Sequence, residues 1–139
     1  MIRAINNAPI KHIEWKAKAG GVRKGNLVKE DTGATPVAAE HTGATILGVA
    51  LETQLTTGGL VKLFPMKGTV LEIDIKSDAT KQAFETADLG KSYDLVAVSN
   101  EHFVDSDKTA DGFLVLIGFD NFAKKGYFAV ADAITLLNY

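Results

Sequence analysis

Any chemistry in this chain has to come from a short set of side chains. Three histidines, His12, His41 and His102, could bind a metal, but none stands at the HxxxH or HExxH spacing that brings two imidazoles onto one ion. No metal site is expected. Residues 105–112, DSDKTADG, start like a calcium loop, because Asp105, Asp107 and Asp111 supply hard oxygens. An EF-hand register would need Gly at Ala110 and Glu at Leu116, so a polar hairpin loop between two strands is the expectation there. Ser99 and Ser106 near His102 and Asp105 include the residue types of a hydrolytic triad, without the GxSxG turn that lifts a nucleophile out of a sheet. Residues 58–68, GGLVKLFPMKG, lack the GxxxxGK[ST] register with which backbone amides wrap a phosphate, and read as strand, turn, strand. Glu72 and Asp74 alternate with apolar residues, which puts their carboxylates on the wet face of a strand. The expectation is a protein that is not an enzyme and uses no cofactor.

Composition bounds what remains. The 139 residues suffice for one domain with its own core. There is no Cys, which excludes disulfides, thiolate zinc sites and thiol catalysis. The start, MIRAINNAPIKHIEW, lacks a continuous apolar stretch, and no apolar run approaches the roughly 18 residues that span a bilayer, so a soluble, non-exported chain with no membrane partner is expected. Net charge is −2, unevenly spread. Arg3, Lys11, Lys16, Lys18, Arg23, Lys24 and Lys29 against Glu14 give residues 1–29 a charge of +6, which leaves the rest at −8. A basic head on an acidic body suggests an interaction segment for nucleic acid or for an acidic protein surface.

The elements that would position these groups are strands. In HIEWKAK, residues 12–18, Ile13, Trp15 and Ala17 alternate with polar residues; in TVLEIDI, residues 69–75, Leu71, Ile73 and Ile75 do the same. Residues 46–52, 60–64, 93–99, 113–119 and 127–137 are more uniformly apolar and read as strands covered on both faces. Turn signals between them, among them Lys24-Gly25-Asn26, Ser99-Asn100 and Lys125-Gly126, complete the rhythm of a compact all-β sandwich or barrel of about seven or eight short strands. At most one short helix fits, near residues 78–88, with Ala79, Ala83, Phe84 and Ala87 at helical spacing and Gly90 as its stop. TGAT occurs twice, at 32–35 and 42–45; each copy sets a Gly able to turn at positive φ between residues that favour extended chain, which marks two similar β corners. Gly48, inside ILGVALE, predicts a bulge or a close backbone approach.

With that reading in place, residues 25–52, GNLVKEDTGATPVAAEHTGATILGVALE, resemble a pattern of tailed-phage capsid decoration proteins, also called cement or head-stabilising proteins: Gly-x-Leu-Val, a short Pro-Val-Ala piece, then Ile-Leu-Gly-Val-Ala. Residues 88–120 look like the second half of such proteins, with Gly-x-x-Tyr-Asp-Leu, an Asn-containing turn, Val-Asp, and a strand ending in Gly-Phe-Asp. The resemblance implies a structural virion protein, made in the host cytoplasm, that binds the outer surface of the major capsid protein lattice at three-fold or two-fold axes and stabilises the DNA-filled head. It implies no catalysis and no direct nucleic-acid contact. The basic segment 1–29 and the stretch 77–89 are not part of the matched pattern.

The contact residues therefore rest on the residues themselves. Residues 1–11 are expected to form an N-terminal arm ahead of a single β domain at 12–139. Asn6, Asn7 and Pro9 discourage helix, and Ile2, Ile5 and Ile10 could fill apolar pockets of the capsid while Arg3 and Lys11 face acidic patches. The tail AITLLNY offers Ile134, Leu136, Leu137 and Tyr139 either as an oligomer contact, for a trimer or alternatively a dimer, or as the last core strand. The alternative class is a non-catalytic β module for carbohydrate or single-stranded nucleic acid, with Trp15, Tyr93, Tyr127 and Tyr139 as stacking surfaces.

Overall fold

The computed structural model describes residues 2–5, 13–31, 33–36, 46–65, 69–109 and 112–130. These form β1 (Ile2–Ile5), β2 (Ile13–Lys16), β3 (Leu27–Glu30), β4 (Ala34–Pro36), β5 (Ile46–Ala50), β6 (Leu60–Pro65), β7 (Val70–Asp74), β8 (Ser92–Val98), β9 (Glu101–Asp105), β10 (Leu114–Asp120) and β11 (Lys125–Val130). The fold is all-β and sandwich-like, as the alternation predicts. It has more strands than the seven or eight expected, because β1, β3, β4 and β9 lack the alternation or uniform apolar run that marks the others in sequence.

Two antiparallel sheets share the strands, one ordered β2-β6-β5-β3-β4 and the other β1-β7-β11-β10-β8-β9. Each curls through one parallel bridge: in the first, Ala17 beyond β2 meets Ala34 of the opposite edge strand β4, and in the second, Ile75 at the end of β7 meets Val104 of the edge strand β9, with β1 left outside the curl. The bridges carry backbone bonds from Lys18 N to Ala34 O and from Lys76 N to Val104 O, both 2.9 Å. Curling in this way leaves less unpaired edge than a flat sheet would.

The main core draws on both sheets. Leu27, Ile46, Val49 and Phe64 of the five-stranded sheet pack with Ile2, Leu71, Ile73, Tyr93, Leu95, Leu114, Leu116 and Phe128 of the six-stranded one. A second cluster, Val22, Val28, Ala34, Leu47, Ala50, Val61 and Leu63, fills the inside of the five-stranded curl. That is why every residue of β5 is buried. The other uniformly apolar runs depart from two-sided burial: β10 and β11 bury Leu114, Leu116, Phe128 and Val130 inward, while Val115, Tyr127 and Ala129 on the other face are half-buried and Ile117 is exposed.

Gly48 answers to both of its predicted reasons. The β3–β5 register slips between Val28 and Lys29, so a bulge sits there, and a Cβ on Gly48 would lie 2.1 Å from the Phe64 carbonyl oxygen. The first TGAT is a corner: Gly33, at φ 130°, turns β3 into β4. The second copy lies outside the described residues.

No α-helix forms over 78–88; a single 3-10 turn occupies Thr86–Asp88. Side chains from elsewhere take the amides a helix would use. Asp107 accepts from Thr80 N and Lys81 N at 2.7 and 2.9 Å, and Asn121 Oδ1 accepts from Phe84 N at 2.9 Å. Nor is 105–112 a hairpin loop, because β9 and β10 lie on opposite sides of β8. The tight hairpin is β8–β9, whose two-residue turn Ser99-Asn100 has φ of 51° and 66°, the conformation a type I′ turn needs.

Candidate interaction surface

The proposed arm is, over residues 2–5, part of the body. β1 pairs antiparallel with β7, Ile2 opposite Ile73 and Ile5 opposite Val70, and Ile2 is 2% exposed within the core. Arg3 points to solvent with its guanidinium 3.8 Å from Glu72. Four residues, IRAI, are too few to reveal the alternation in sequence, and their pairing with β7 is a contact between residues about 70 positions apart. Ile10 and Lys11, and Ile134, Leu136, Leu137 and Tyr139, lie outside the described residues.

Glu72 is the hub of a small charged cluster on the same sheet face. Lys125 Nζ donates to Glu72 Oε1 at 2.7 Å, which holds the Lys125 ammonium above its ordinary pKa. Of the other described head cations, Lys18 pairs with Asp31 at 3.0 Å, Lys16, Arg23 and Lys24 are exposed, and Lys29 is half-buried on β3.

The triad residue types serve the fold. His102 is buried, and its Nδ1 accepts from Leu27 N at 2.9 Å, which ties β9 to β3. Ser106 Oγ donates to the Lys81 carbonyl, and Asp105 Oδ1 accepts from Asp107 N. Asp107 is held below its ordinary pKa by the Thr80 and Lys81 amides that it caps. Among the described residues no three His, Asp or Glu side chains converge as a metal site would require.

The most perturbed carboxylate is structural as well. Asp88, buried, accepts from Lys81 Nζ at 2.5 Å, Lys91 Nζ at 3.2 Å and Glu85 N at 2.8 Å. These bonds, led by that of Lys81, pull its pKa down to about 2 against the opposing effect of burial. Beside it, burial and then the Asp88 charge push the Tyr93 phenol up to about 12. Tyr93 is 1% exposed and packs edge-on against Phe84 and Phe128, at ring separations of 5.3 and 6.3 Å. Trp15 Nε1 donates to Glu30. Of the four rings a stacking platform would use, Tyr93 is in the core and offers no face to a base or sugar, Trp15 and Tyr127 are half-buried on strands of different sheets, and Tyr139 lies outside the described residues.

A groove of about 390 Å³ opens where the two sheets meet, lined by Gly20, Arg23, Asn26, Thr35, Asn100 and His102 among others. Asn26 stands at its back, accepting from Arg23 N and donating to the Asn100 carbonyl, both at 2.9 Å. Its lining mixes these polar groups with Ala19, Pro36 and Ala97, and Arg23 is the cation among the described lining residues.

Two surface features escape sequence reasoning. Leu51, Leu55 and Leu60 are all exposed around the β5–β6 connection. At the β10–β11 turn, Phe122 is 100% exposed. The available signal was an aromatic residue inside the polar turn FDNFAKKG, a position where a ring has no core to enter.

No family model matches the chain, and no curated protein matches it.

Proposed function

We propose that this protein is a structural, non-catalytic component that binds an assembled capsid lattice, in the manner of the decoration proteins that residues 25–52 and 88–120 resemble. The observation that carries the reading is where those stretches fall. Residues 25–52 supply β3, β4 and β5, and residues 88–120 supply β8, β9 and β10, three strands in each of the two curled sheets. The matched residues thus supply the frame of both halves, including the bulge at Gly48 and the tight turn at Asn100.

A two-sheet body with a shared core suits a part that must resist deformation on a loaded shell, and repeated weak contacts around a lattice axis add avidity. The docking residues are surface groups of the folded body, with Arg3 on the β1 edge among them. The test is co-sedimentation with DNA-free, expanded capsids of the phage that encodes the chain, alongside single-stranded DNA at several salt concentrations. Saturable capsid binding supports the reading. Salt-steep DNA binding without capsid binding would replace it with the nucleic-acid module.

A further inference from the structure

The β10–β11 turn holds its most hydrophobic side chain away from the protein and fixes it there. Asn121 Oδ1 accepts from Phe84 N and its Nδ2 donates to the Phe84 carbonyl, both at 2.9 Å, so the side chain pairs with a backbone as a strand would. Asp120 Oδ1 accepts from Ala123 N at 3.1 Å, which closes the turn from within. The Lys124 carbonyl accepts from Ile75 N at 3.0 Å, which pins it to the end of β7. Lys124 itself sits at φ 53°, a left-handed conformation that a lysine adopts only under such constraint. Four hydrogen bonds hold a turn whose residue 122 is 100% exposed.

A ring displayed on a pre-ordered turn loses little freedom when it is buried by a partner, and aromatic anchors of this kind carry much of the binding energy of interfaces. Beside it, the Lys124 ammonium has no ion pair among the described residues, whereas Lys125 is matched to Glu72. The tip thus pairs an exposed ring with a cation that has no ion pair among the described residues, in the part of the chain, residues 30–139, whose net charge is −8. We propose that Phe122 is the anchor of a docking finger that enters an apolar socket rimmed by carboxylate on the capsid lattice protein. This rests on the lattice-binding reading above and assigns it a contact that the resemblance does not supply.

Full-length Phe122→Ser, Phe122→Leu and Lys124→Glu proteins, checked for unchanged Tm, would be sedimented with expanded capsids beside the wild type. The expected result is a loss of affinity of about tenfold or more for Phe122→Ser, partial recovery in Phe122→Leu, and a smaller loss for Lys124→Glu that fades at high salt. Equal binding by Phe122→Ser and the wild type would overturn the finger while leaving the lattice reading standing. No capsid binding by the wild type would remove both. A change of oligomeric state in Phe122→Ser, followed by sedimentation equilibrium without capsids, would assign the ring to a second copy of this chain instead and overturn the proposal.

Discussion

The two sheets reach stability by different means. The five-stranded sheet buries its middle strand β5 on both faces while β2 and β6 keep one face toward water, and its tolerance is set by backbone contact: at Gly48 the chain passes so near Phe64 that even a methyl group has no room. The six-stranded sheet is buried on one face only, and the long segment between β7 and β8 is strapped over its end by side chains. Phe84 enters the aromatic cluster, while Asp88, Asp107 and Asn121 tie down the backbone around it. Along β5, apolar side chains on both faces and the ladder bonds to β3 and β6 hold the strand. Where an irregular segment must cover a core, its amides need partners, and side-chain carboxylates and amides, buried at Asp88 and exposed at Asp107 and Asn121, supply them.

Breaking the aromatic fastening should have the largest effect. Phe84→Ala removes the ring that touches Tyr93, Phe119 and Phe128, and a cost of about 3–5 kcal/mol is expected, seen as a Tm drop of about 10–17 °C. The matching test on the other sheet is Gly48→Ala, which forces β5 from β6 at a cost of about 3 kcal/mol by chemical denaturation. If that variant were as stable as the wild type, close backbone contact would not be what limits the five-stranded sheet.

The polar fastening should cost less and depend on pH. Asp88→Asn is expected to lose about 1–3 kcal/mol near neutrality, since Lys81 and Lys91 keep their charges without a carboxylate. The folded pKa of about 2 lies below the unfolded 3.8, so the Asp88 contribution is full above 3.8 and is lost as pH falls through about 2. Unfolding curves at successive pH values should show wild type and variant converging over that window, and a constant difference would show that titration of Asp88 is not the cause. At the seam between the sheets, Asn26→Ala should cost about 1–2 kcal/mol through its bonds to Arg23 N and the Asn100 carbonyl. Smallest of all, Arg3→Ala should change stability by less than about 0.5 kcal/mol, because its exposed guanidinium only adds to the Lys125–Glu72 pair.

The fold class, the inward sets of β2 and β7, the corner at Gly33 and the crowding at Gly48 were legible in the sequence. Each depends on a period of two or on the special freedom of glycine, and both are local properties of the chain. Tertiary structure alone decided that Ile2 belongs to the core rather than to a free arm, that β10 and β11 cover only one face, and that Phe84 ends in an aromatic cluster instead of a helix. It also decided that His102, Ser106 and Asp107 serve backbone groups and that Phe122 stands in water. These outcomes turn on partners from 25 to 75 positions away competing for the same amides and the same apolar surface, a competition that no short window of sequence contains.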